Sequence, residues 1–289
     1  MILRPLDPAD LPALLALQHA FTGAGARWSA EFLASELRHP ARGGGRNVVV
    51  AERDGAVAGG AGWVEAGAQL FGSPIFAGDE EASAALVAHL VARARAIGAA
   101  SLRCSTTGAD APKQRALAAA GFAPLLDFIT LARPVAALDA PALPLRHVPC
   151  AEYPVPALRE LYNETFADVP GAPRLDDEMV AHGVATLWAD GSGVWLDEDG
   201  AAAGFIIGTR ERDGDLEHAT VDSVGVRAAW RGRGVGRLAV AHLLRAAVAA
   251  GLLEARALIA STNEPSLRLH RALGFAERSR ITSWELLLC

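Results

Sequence analysis

Hydrophobic residues alternate with polar ones in short runs of this chain and recur every three to four positions in longer runs. This pattern predicts strands mixed with amphipathic helices. In the first half, strands are predicted at 2–6, 48–52, 57–64, 101–104 and 128–131, and helices at 11–17, 32–37, 80–97 and 113–120. Residues 69–76 are predicted to be irregular. In the second half, strands are predicted at about 217–226 and 258–260, with a helix opening at about Leu238 between them.

The second half of the chain repeats the first. Asp199-Gly200 matches Asp54-Gly55 at a spacing of 145 residues, and Gly274-Phe275 matches Gly121-Phe122 at a spacing of 153. A spacing that persists across several elements indicates two copies of one α/β (α+β) domain. Prolines among small residues between 134 and 144 are typical of a linker. We therefore predict domains at 1–135 and 145–289, joined by a linker at 136–144.

A turn rich in glycine and arginine follows the strand that ends at Val226. Its sequence is Arg231-Gly232-Arg233-Gly234-Val235-Gly236-Arg237. Glycine lets an anion approach the backbone closely, and the next helix adds unpaired N–H groups and the positive end of its dipole. Such a strand, turn and helix N-terminus predict a phosphate site. The alternative is a surface turn whose arginines face solvent.

The first half carries acids where the second half carries this turn. At the spacing of 153, residues 231–236 correspond to 78–83, which include Asp79, Glu80 and Glu81. Carboxylates stabilise a helix N-terminus but repel a phosphate. We predict that the first domain kept the fold and lost the anion site, so that its role is structural or it forms a wall of the substrate cleft.

Composition narrows the functional classes. The net charge of −6 argues against a protein that binds nucleic acid through a general basic field. Cys104, Cys150 and Cys289 lie outside any C-x-x-C pattern, which indicates free thiols in a reducing compartment. The histidines do not cluster at metal-ligand spacing, so no metal is expected. The start of the chain lacks a signal-peptide pattern and no run is long enough for a membrane span, so a cytoplasmic protein is expected.

The second half resembles the GNAT superfamily of acyl-CoA-dependent N-acyltransferases. The family's first motif is matched by Val224-Gly225-Val226 followed by Arg231-x-x-Gly234-x-Gly236, and its second by the run from Asn263 to Phe275. The first half matches in layout only. The resemblance implies two tandem GNAT-like domains, each a mixed, mostly antiparallel twisted sheet flanked by helices. Two copies with a degenerate first one resemble the architecture of mycothiol synthases.

The resemblance also implies how acetyl-CoA is held. The turn from Arg231 to Arg237 would bind the pyrophosphate of coenzyme A, and the strand at about 217–226 would splay from the next strand to admit pantetheine. The backbone of Val224, Gly225 and Val226 would line that gap. Asn263 would contact the cofactor, and Ser266 is small enough to let it pass. The substrate amine would then attack the thioester directly, without an acyl-enzyme.

Direct attack needs a base for the ammonium proton and an acid for the thiolate. His270 stands where the family usually has a tyrosine acid, and the alternative is a histidine packed in the core. Thr220 stands where many relatives carry a glutamate. Asp222, on the same strand face by alternation, is our predicted base, with His218 as second choice; either side chain can instead simply face solvent.

Three functions remain open from the sequence. The first is an acetyl-CoA-dependent transferase acting on a small amine or amino-sugar. The second is a transferase whose acceptor is a peptide or protein amine, and the third is a non-catalytic acyl-CoA sensor. The acceptor is expected to approach over residues 166–177, whose acids, with Glu178, attract cations or form the first turn of a helix. A monomer or homodimer is expected, with no nucleic-acid or membrane partner.

Overall fold

The computed structural model describes residues 1–22, 28–169, 174–213 and 216–288. The chain forms two compact units, one of Met1–Phe128 with Ser279–Cys289 and the other of Ile129–Arg278. Within the described ranges, no helix is both long and apolar enough to cross a membrane. Cys289, one of the predicted free thiols, lies outside the described residues, whereas Cys104 and Cys150 are free and buried.

Among the described residues, six strands and four α-helices begin in the first half of the chain. The strands are β1 (Ile2–Pro5), β2 (Val48–Arg53), β3 (Ala56–Ala66), β4 (Gln69–Ala77), β5 (Ser101–Thr107) and β6 (Ala123–Pro134). The helices are α1 (Leu11–Thr22), α2 (Ala30–Leu37), α3 (Glu80–Ala96) and α4 (Ala111–Ala119).

In the described part of the second half, six further strands and four further α-helices follow. Its strands are β7 (Arg146–Val148), β8 (Gly193–Leu196), β9 (Ala202–Asp213), β10 (Leu216–Val226), β11 (Glu254–Ala260) and β12 (Ala276–Leu287). Its helices are α5 (Val155–Thr165), α6 (Asp177–Thr186), α7 (Val235–Ala249) and α8 (Glu264–Ala272).

The first unit is built on a mixed, mostly antiparallel sheet in the order β1-β2-β3-β4-β5-β12. Strands β1 to β4 form antiparallel neighbours, β4 and β5 pair in parallel, and β12 pairs antiparallel to β5. Helix α3 packs Leu86 and Leu90 into a core that also holds Leu70 and Leu102. Leu14, Leu33 and Leu37 of α1 and α2 form a second core. Burial of these apolar residues is the main stabilising term of the unit.

Strand β4 corrects the prediction that residues 69–76 are irregular. Gly72 and Pro74 hide its alternation, but each has a structural place. A Cβ at Gly72 would lie 2.7 Å from Leu90 Cδ1 and 2.9 Å from Cys104 Sγ, so only glycine fits. Pro74 lies within the interruption of the β3–β4 register and beyond the last β4–β5 pair at Gly72, where its missing N–H breaks no ladder bond.

The second unit has a sheet in the order β6-β11-β10-β9-β8-β7. The pairs β7–β8, β8–β9 and β9–β10 are antiparallel, whereas β10 and β11 are parallel. Helix α7 packs Ala239, Val240 and Leu243 on one face of this sheet. On the other face, α5 packs Leu158 and Leu161 against Phe205.

The predicted fold class is confirmed, since each unit is a mixed, mostly antiparallel sheet with helices. The compact units nevertheless differ from the predicted division at their last strands: β6 from Ile129 onward belongs to the second unit, and β12 from Ser279 onward to the first. Helix α7 also begins at Val235 rather than at Leu238. Gly234 adopts a left-handed conformation as its N-cap, and Leu238 N–H donates to Gly234 C=O.

Candidate active site

The second unit contains a strand edge that is left open. β10 pairs with β11 only from Ala219 to Val221, opposite Ala255 to Ala257, whereas on its other edge β10 pairs with β9 as far as Val226. The register of β10 shifts between Val221 and Ser223, which makes Asp222 a β-bulge residue. Bulges bend a strand and end its pairing. Val224, Gly225 and Val226 therefore line an open edge of β10.

Helix α7 begins where this edge ends, and its N-terminus has no side-chain cap. Gly232 and Gly234 have φ values of 75° and 91°, a region in which side chains are strained. Gly234 is the N-cap residue and makes no side-chain cap hydrogen bond. A helix of this length leaves its first N–H groups without intrahelical partners. The backbone of Val235, Gly236 and Arg237 therefore offers donors and a positive dipole end to an anion.

The three arginines of the turn each contact a nearby backbone carbonyl or aromatic ring. Arg231 Nε donates to Val226 C=O at 3.1 Å, and Arg237 Nε donates to Asp139 C=O at 3.1 Å. The Arg233 guanidinium lies 5.3 Å from the centroid of the Trp230 ring. Arg231, Gly232 and Arg233 are exposed, so an anion can reach them from solvent. The structure brings all predicted residues of the turn together at the start of α7.

The corresponding helix of the first unit has a closed N-terminus. Asp79 is the N-cap of α3 and accepts from Ala82 N–H at 2.9 Å. Arg53 forms ion pairs with Asp79 at 2.6 Å and with Glu81 at 3.1 Å. The backbone donor that an anion would use is thus already bonded to a carboxylate, and the local arginine is neutralised.

The open strand edge also has a counterpart in the first unit. β4 pairs with β5 only as far as Gly72 and Cys104. In the β3–β4 register Ala77 lies opposite Gly59, as Val226 lies opposite Gly204, its repeat partner in β9. Ile75, two residues before Ala77, therefore corresponds to Val224.

A buried lysine is bonded to this strand edge of the first unit. Lys113 Nζ donates to Ile75 C=O at 2.9 Å and pairs with the Asp110 carboxylate at 2.6 Å. Both side chains are buried. At the repeat spacing of 153, Asp110 and Lys113 correspond to Asn263 and Ser266. The carbonyl equivalent to that of Val224 is thus bonded within the first unit, where the second unit carries a small serine.

Asn263 and Ser266 lie at the start of α8. The Asn263 side-chain oxygen accepts from Ser266 N–H at 3.2 Å and caps the helix. Gly236 of α7 lies close to this helix, because a Cβ there would be 3.0 Å from Leu269 Cδ2. The two motifs that carry the resemblance therefore come together where the first turn of α7 approaches Leu269 of α8.

His270, the predicted acid, is 1% exposed on α8. Its Nδ1 lies 2.9 Å from Ser266 C=O, and its ring contacts Phe275 edge-on. Because a carbonyl only accepts, Nδ1 carries the proton and the neutral ring presents a lone pair at Nε2, which is buried without a partner. Burial lowers the pKa of this imidazole, and the bond to Ser266 offsets part of the effect. Donation from Nε2 therefore requires a protonated ring that burial disfavours.

The two candidate bases on β10 have different surroundings. Asp222 is exposed, and its Oδ2 accepts from Ser223 Oγ at 3.0 Å. His218 is 3% exposed, with Nε2 3.9 Å from the Glu211 carboxylate. Burial, followed by the positive charge of Arg256, lowers the pKa of His218. Asp222 is the candidate that a solvent-borne amine can reach.

Sequence reasoning missed Tyr162 on α5. Its side chain is 9% exposed, and its ring stacks on Phe166 with centroids 4.6 Å apart. Burial and then the negative charge of Asp222 raise the pKa of its phenol, and the nearby Ser223 hydroxyl offsets part of this rise. The available signal was that Tyr162 is one of only two tyrosines in the chain, but its neighbours on β10 are sixty residues away.

The predicted acceptor segment is only partly described, because residues 170–173 lie outside the described ranges. Asp176 caps α6 by accepting from Met179 N–H at 2.9 Å. Asp177, in the first turn, pairs with Arg159 at 3.1 Å. These acids therefore act as the acidic start of a helix, the simpler of the two interpretations.

Comparison with known proteins matches residues 155–275 to the model of the acetyltransferase (GNAT) family. Among curated proteins none matches the chain. A GCN5-related N-acetyltransferase from Sphaerobacter thermophilus is similar in structure, with a TM-score of 0.78 and 20% identity over 99% of this chain and 95% of that one.

Two further solved structures are similar over nearly the whole chain. A tandem GNAT protein from the clavulanic acid biosynthesis pathway has a TM-score of 0.70 and 16% identity, covering 99% of this chain and 98% of that one. A fungal GCN5-related glucosamine N-acetyltransferase region within a multi-domain enzyme has a TM-score of 0.72 and 15% identity, covering 99% of this chain and 38% of that one. At these identities the likeness shows the tandem fold alone.

Proposed function

We propose, from the match of residues 155–275 to the GNAT family of acetyltransferases, that the chain is an acyl-CoA-dependent N-acyltransferase that transfers an acetyl group from acetyl-CoA to the primary amine of a small molecule. The observation that carries the proposal is the open edge of β10 leading to the uncapped N-terminus of α7. The first unit has the same two features closed by Lys113 and Asp79.

The residues of the second unit suit an extended ligand with phosphates at one end. The first N–H groups of α7, with Arg231 and Arg233, provide donors and positive charge for the pyrophosphate. The backbone of Val224 and Val226 provides N–H and C=O groups for the amides of pantetheine. Asn263 and Ser266 lie at the start of α8, the helix that the first turn of α7 approaches through Leu269. Acetyl-CoA, when bound, supplies the activated acetyl group.

Proton transfers are assigned to two side chains. Asp222 is the proposed base, acting directly or through water, because its carboxylate is exposed at the bulge where β10 leaves β11. His270 is the proposed donor to the leaving thiolate and acts in its protonated form. His218 remains the second choice of base. General acid–base groups contribute about 10²–10⁴-fold to such reactions.

A small acceptor is favoured over a peptide by two considerations. Asp176 caps α6 and Asp177 pairs with Arg159. Their carboxylates are therefore already used within the protein and do not form an acidic binding surface for a cationic peptide. One structural neighbour is described as a glucosamine N-acetyltransferase region, which makes amino-sugars the first class to test.

The test is acetyl-CoA-dependent thiol release over amino-sugars, polyamines, amino acids and short peptides with free α-amines. Burial raises the pKa of both Cys104 and Cys150 to about 12, so these thiols add little background, and an amine-free blank corrects for the rest. Asp222→Asn should lower turnover at least about 100-fold, whereas the exposed Asp199→Asn should not. Faster turnover of peptides would favour the peptide alternative, and tight binding without any turnover would favour the sensor.

A further inference from the structure

The segment between the two repeats packs along helix α7. The second unit runs from Ile129 to Arg278 and therefore includes the predicted linker at 136–144. Val135 N–H donates at 2.9 Å to the C=O of Leu253, which lies between α7 and β11. Val135 and Leu138 then pack against the core that α7 helps to form. The segment thus follows α7 from its C-terminal end toward its N-terminus, where the phosphate site is proposed.

Two contacts hold this segment beside the start of α7. The Asp139 carbonyl accepts from Arg237 Nε at 3.1 Å. A Cβ at Gly234 would lie 3.2 Å from Pro141 Cγ, so the proline ring covers this side of the N-cap residue. Residues three positions apart lie on the same side of a helix. One short segment can therefore contact both Gly234 and Arg237.

The N-terminus of α7 consequently lies between two walls. Gly236 is about 100° around the helix from Arg237, and on that side a Cβ would lie 3.0 Å from Leu269 Cδ2 of α8. Residues 138–141 border the other side. An anion bound at the first N–H groups of α7 would therefore have α8 on one side and this segment on the other.

Arg237 keeps most of its donors for a ligand. A guanidinium has five N–H donors in one plane and no acceptor, and the bond to the Asp139 carbonyl uses only the donor at Nε. Arg237 makes no other hydrogen bond or ion pair in the part of the chain that the structure describes. Its Nη groups can therefore donate to a phosphate while Nε stays on the carbonyl. A side chain held in this way has less freedom to lose when a ligand binds.

The first unit has no arginine at the equivalent position. At the repeat spacing of 153 residues, Arg237 corresponds to Ala84 of α3. The side chain of an alanine can bond neither a carbonyl nor a phosphate. The arginine is thus present in the copy whose helix N-terminus is open, and it is absent from the copy in which Asp79 caps that helix.

We infer that residues 138–141 are part of the acetyl-CoA site: the Asp139 carbonyl fixes the Arg237 guanidinium beside the N-terminus of α7, and the Nη groups of Arg237 bind a phosphate of the coenzyme. Arg237 contacts the ligand, and the segment positions Arg237. The inference rests on the proposed function only in taking acetyl-CoA as the ligand. It extends the site to a segment that lies outside both motifs of the family.

Calorimetric titration with acetyl-CoA tests the inference without any turnover. Arg237→Gln should weaken binding about tenfold, because a hydrogen bond from a charged group to phosphate is lost. Ala140→Gly combined with Pro141→Gly loosens the segment and should weaken binding about threefold, because the Arg237 side chain must then be immobilised when the ligand binds. Should this double variant fail to unfold cooperatively on heating, Pro141→Ala, which frees the backbone less, takes its place.

A matched control places two glycines elsewhere in the same linker. Ala136 and Ala137 are exposed and precede Leu138, so Ala136→Gly combined with Ala137→Gly should bind acetyl-CoA as wild type does. If the double variant at 140 and 141 binds as tightly as this control, the segment only packs on α7 and the inference is wrong.

A combined variant distinguishes positioning from a separate contact. If the segment acts through Arg237, adding Arg237→Gln to the two glycines at 140 and 141 should bind no more weakly than Arg237→Gln alone, within about twofold. Losses that instead multiply to about thirtyfold would show that the segment and Arg237 act independently, which overturns the positioning role.

The outcomes separate this inference from the proposed function. If wild type binds acetyl-CoA but acetylates no amine, the proposed transfer fails, and the binding comparison still decides the inference. If wild type acetylates an amine and Arg237→Gln binds acetyl-CoA normally, the function stands and the inference is wrong. If wild type does not bind acetyl-CoA, both are wrong.

Discussion

Gly236 in the first turn of α7 is the position where one added charge tests the phosphate site most directly. It is preferable to Gly234, whose φ of 91° would strain any side chain. Gly236→Asp and Gly236→Asn differ in charge but hardly in shape. In both variants the new Cβ meets Leu269 Cδ2, 3.0 Å away at the end of a flexible side chain. The comparison of the two variants therefore isolates electrostatic repulsion.

The expected size of the repulsion follows from Coulomb's law. Two unit charges about 5 Å apart interact by about 0.8 kcal/mol in bulk water and about 3 kcal/mol at an effective dielectric constant of about 20. A pyrophosphate carries more than one charge, and salt screens part of the interaction. We expect Gly236→Asp to bind acetyl-CoA about 2–3 kcal/mol more weakly than Gly236→Asn, which is about 30- to 150-fold in Kd.

Calorimetric titration at low and high salt measures this difference. The ratio of the two Kd values should shrink as salt increases, and thermal unfolding should show the Asp variant at least as stable as the Asn variant, because an acid suits a helix N-terminus. If both variants bind acetyl-CoA within threefold of each other at low salt, the phosphates do not lie at α7. If the added side chain alone abolishes binding, Arg233→Glu against Arg233→Gln replaces the pair.

Three other predictions concern the acid, the first unit and pH. His270→Phe should lower kcat at least about tenfold and His270→Tyr should recover much of it if His270 donates a proton; equal rates in thiol-release assays would refute that role. Lys113→Met should lower the free energy of unfolding in urea by about 3 kcal/mol, because it leaves the buried Asp110 carboxylate unpaired. Adding Asp110→Asn should restore part of this stability, and a loss below about 1 kcal/mol would show that the ion pair does not stabilise the unit. Burial and then the positive charge of His147 lower the pKa of His242 to about 4. The unfolded imidazole therefore takes up a proton at a higher pH than the folded one, so the free energy of unfolding is unaffected by His242 above pH 6.5 and decreases as the pH falls from 6.5 to 4. The full shift corresponds to about 3.4 kcal/mol; partial exposure reduces this to about 2, and His242→Phe should remove that part of the pH dependence in unfolding titrations.

The sequence by itself determined the features that depend on neighbours along the chain. The glycine and arginine turn at 231–237 was predictable as a candidate phosphate site, because such a site is built from consecutive N–H groups and is therefore local in sequence. The repeat of Asp54-Gly55 as Asp199-Gly200 identified two copies of one fold, and the acids at 79–81 identified the copy without the turn. Asn263 and Ser266 were predicted from the resemblance of the run from Asn263 to Phe275 to a family motif.

Tertiary structure decided what depends on contacts between distant segments. The shift of register at Asp222 is defined only against β9, and it follows directly on Val221, the last residue of β10 that pairs with β11. Strand β4 looked irregular because Gly72 and Pro74 are explained only by Cys104 and by the end of its pairing with β5. The hydrogen bond from Lys113 Nζ to Ile75 C=O joins α4 to β4, so no pattern along the chain predicts it. Local periodicity carries no information on which strand pairs with which, and in this protein the pairing sets the open edge, the bulge and the side chains that meet there.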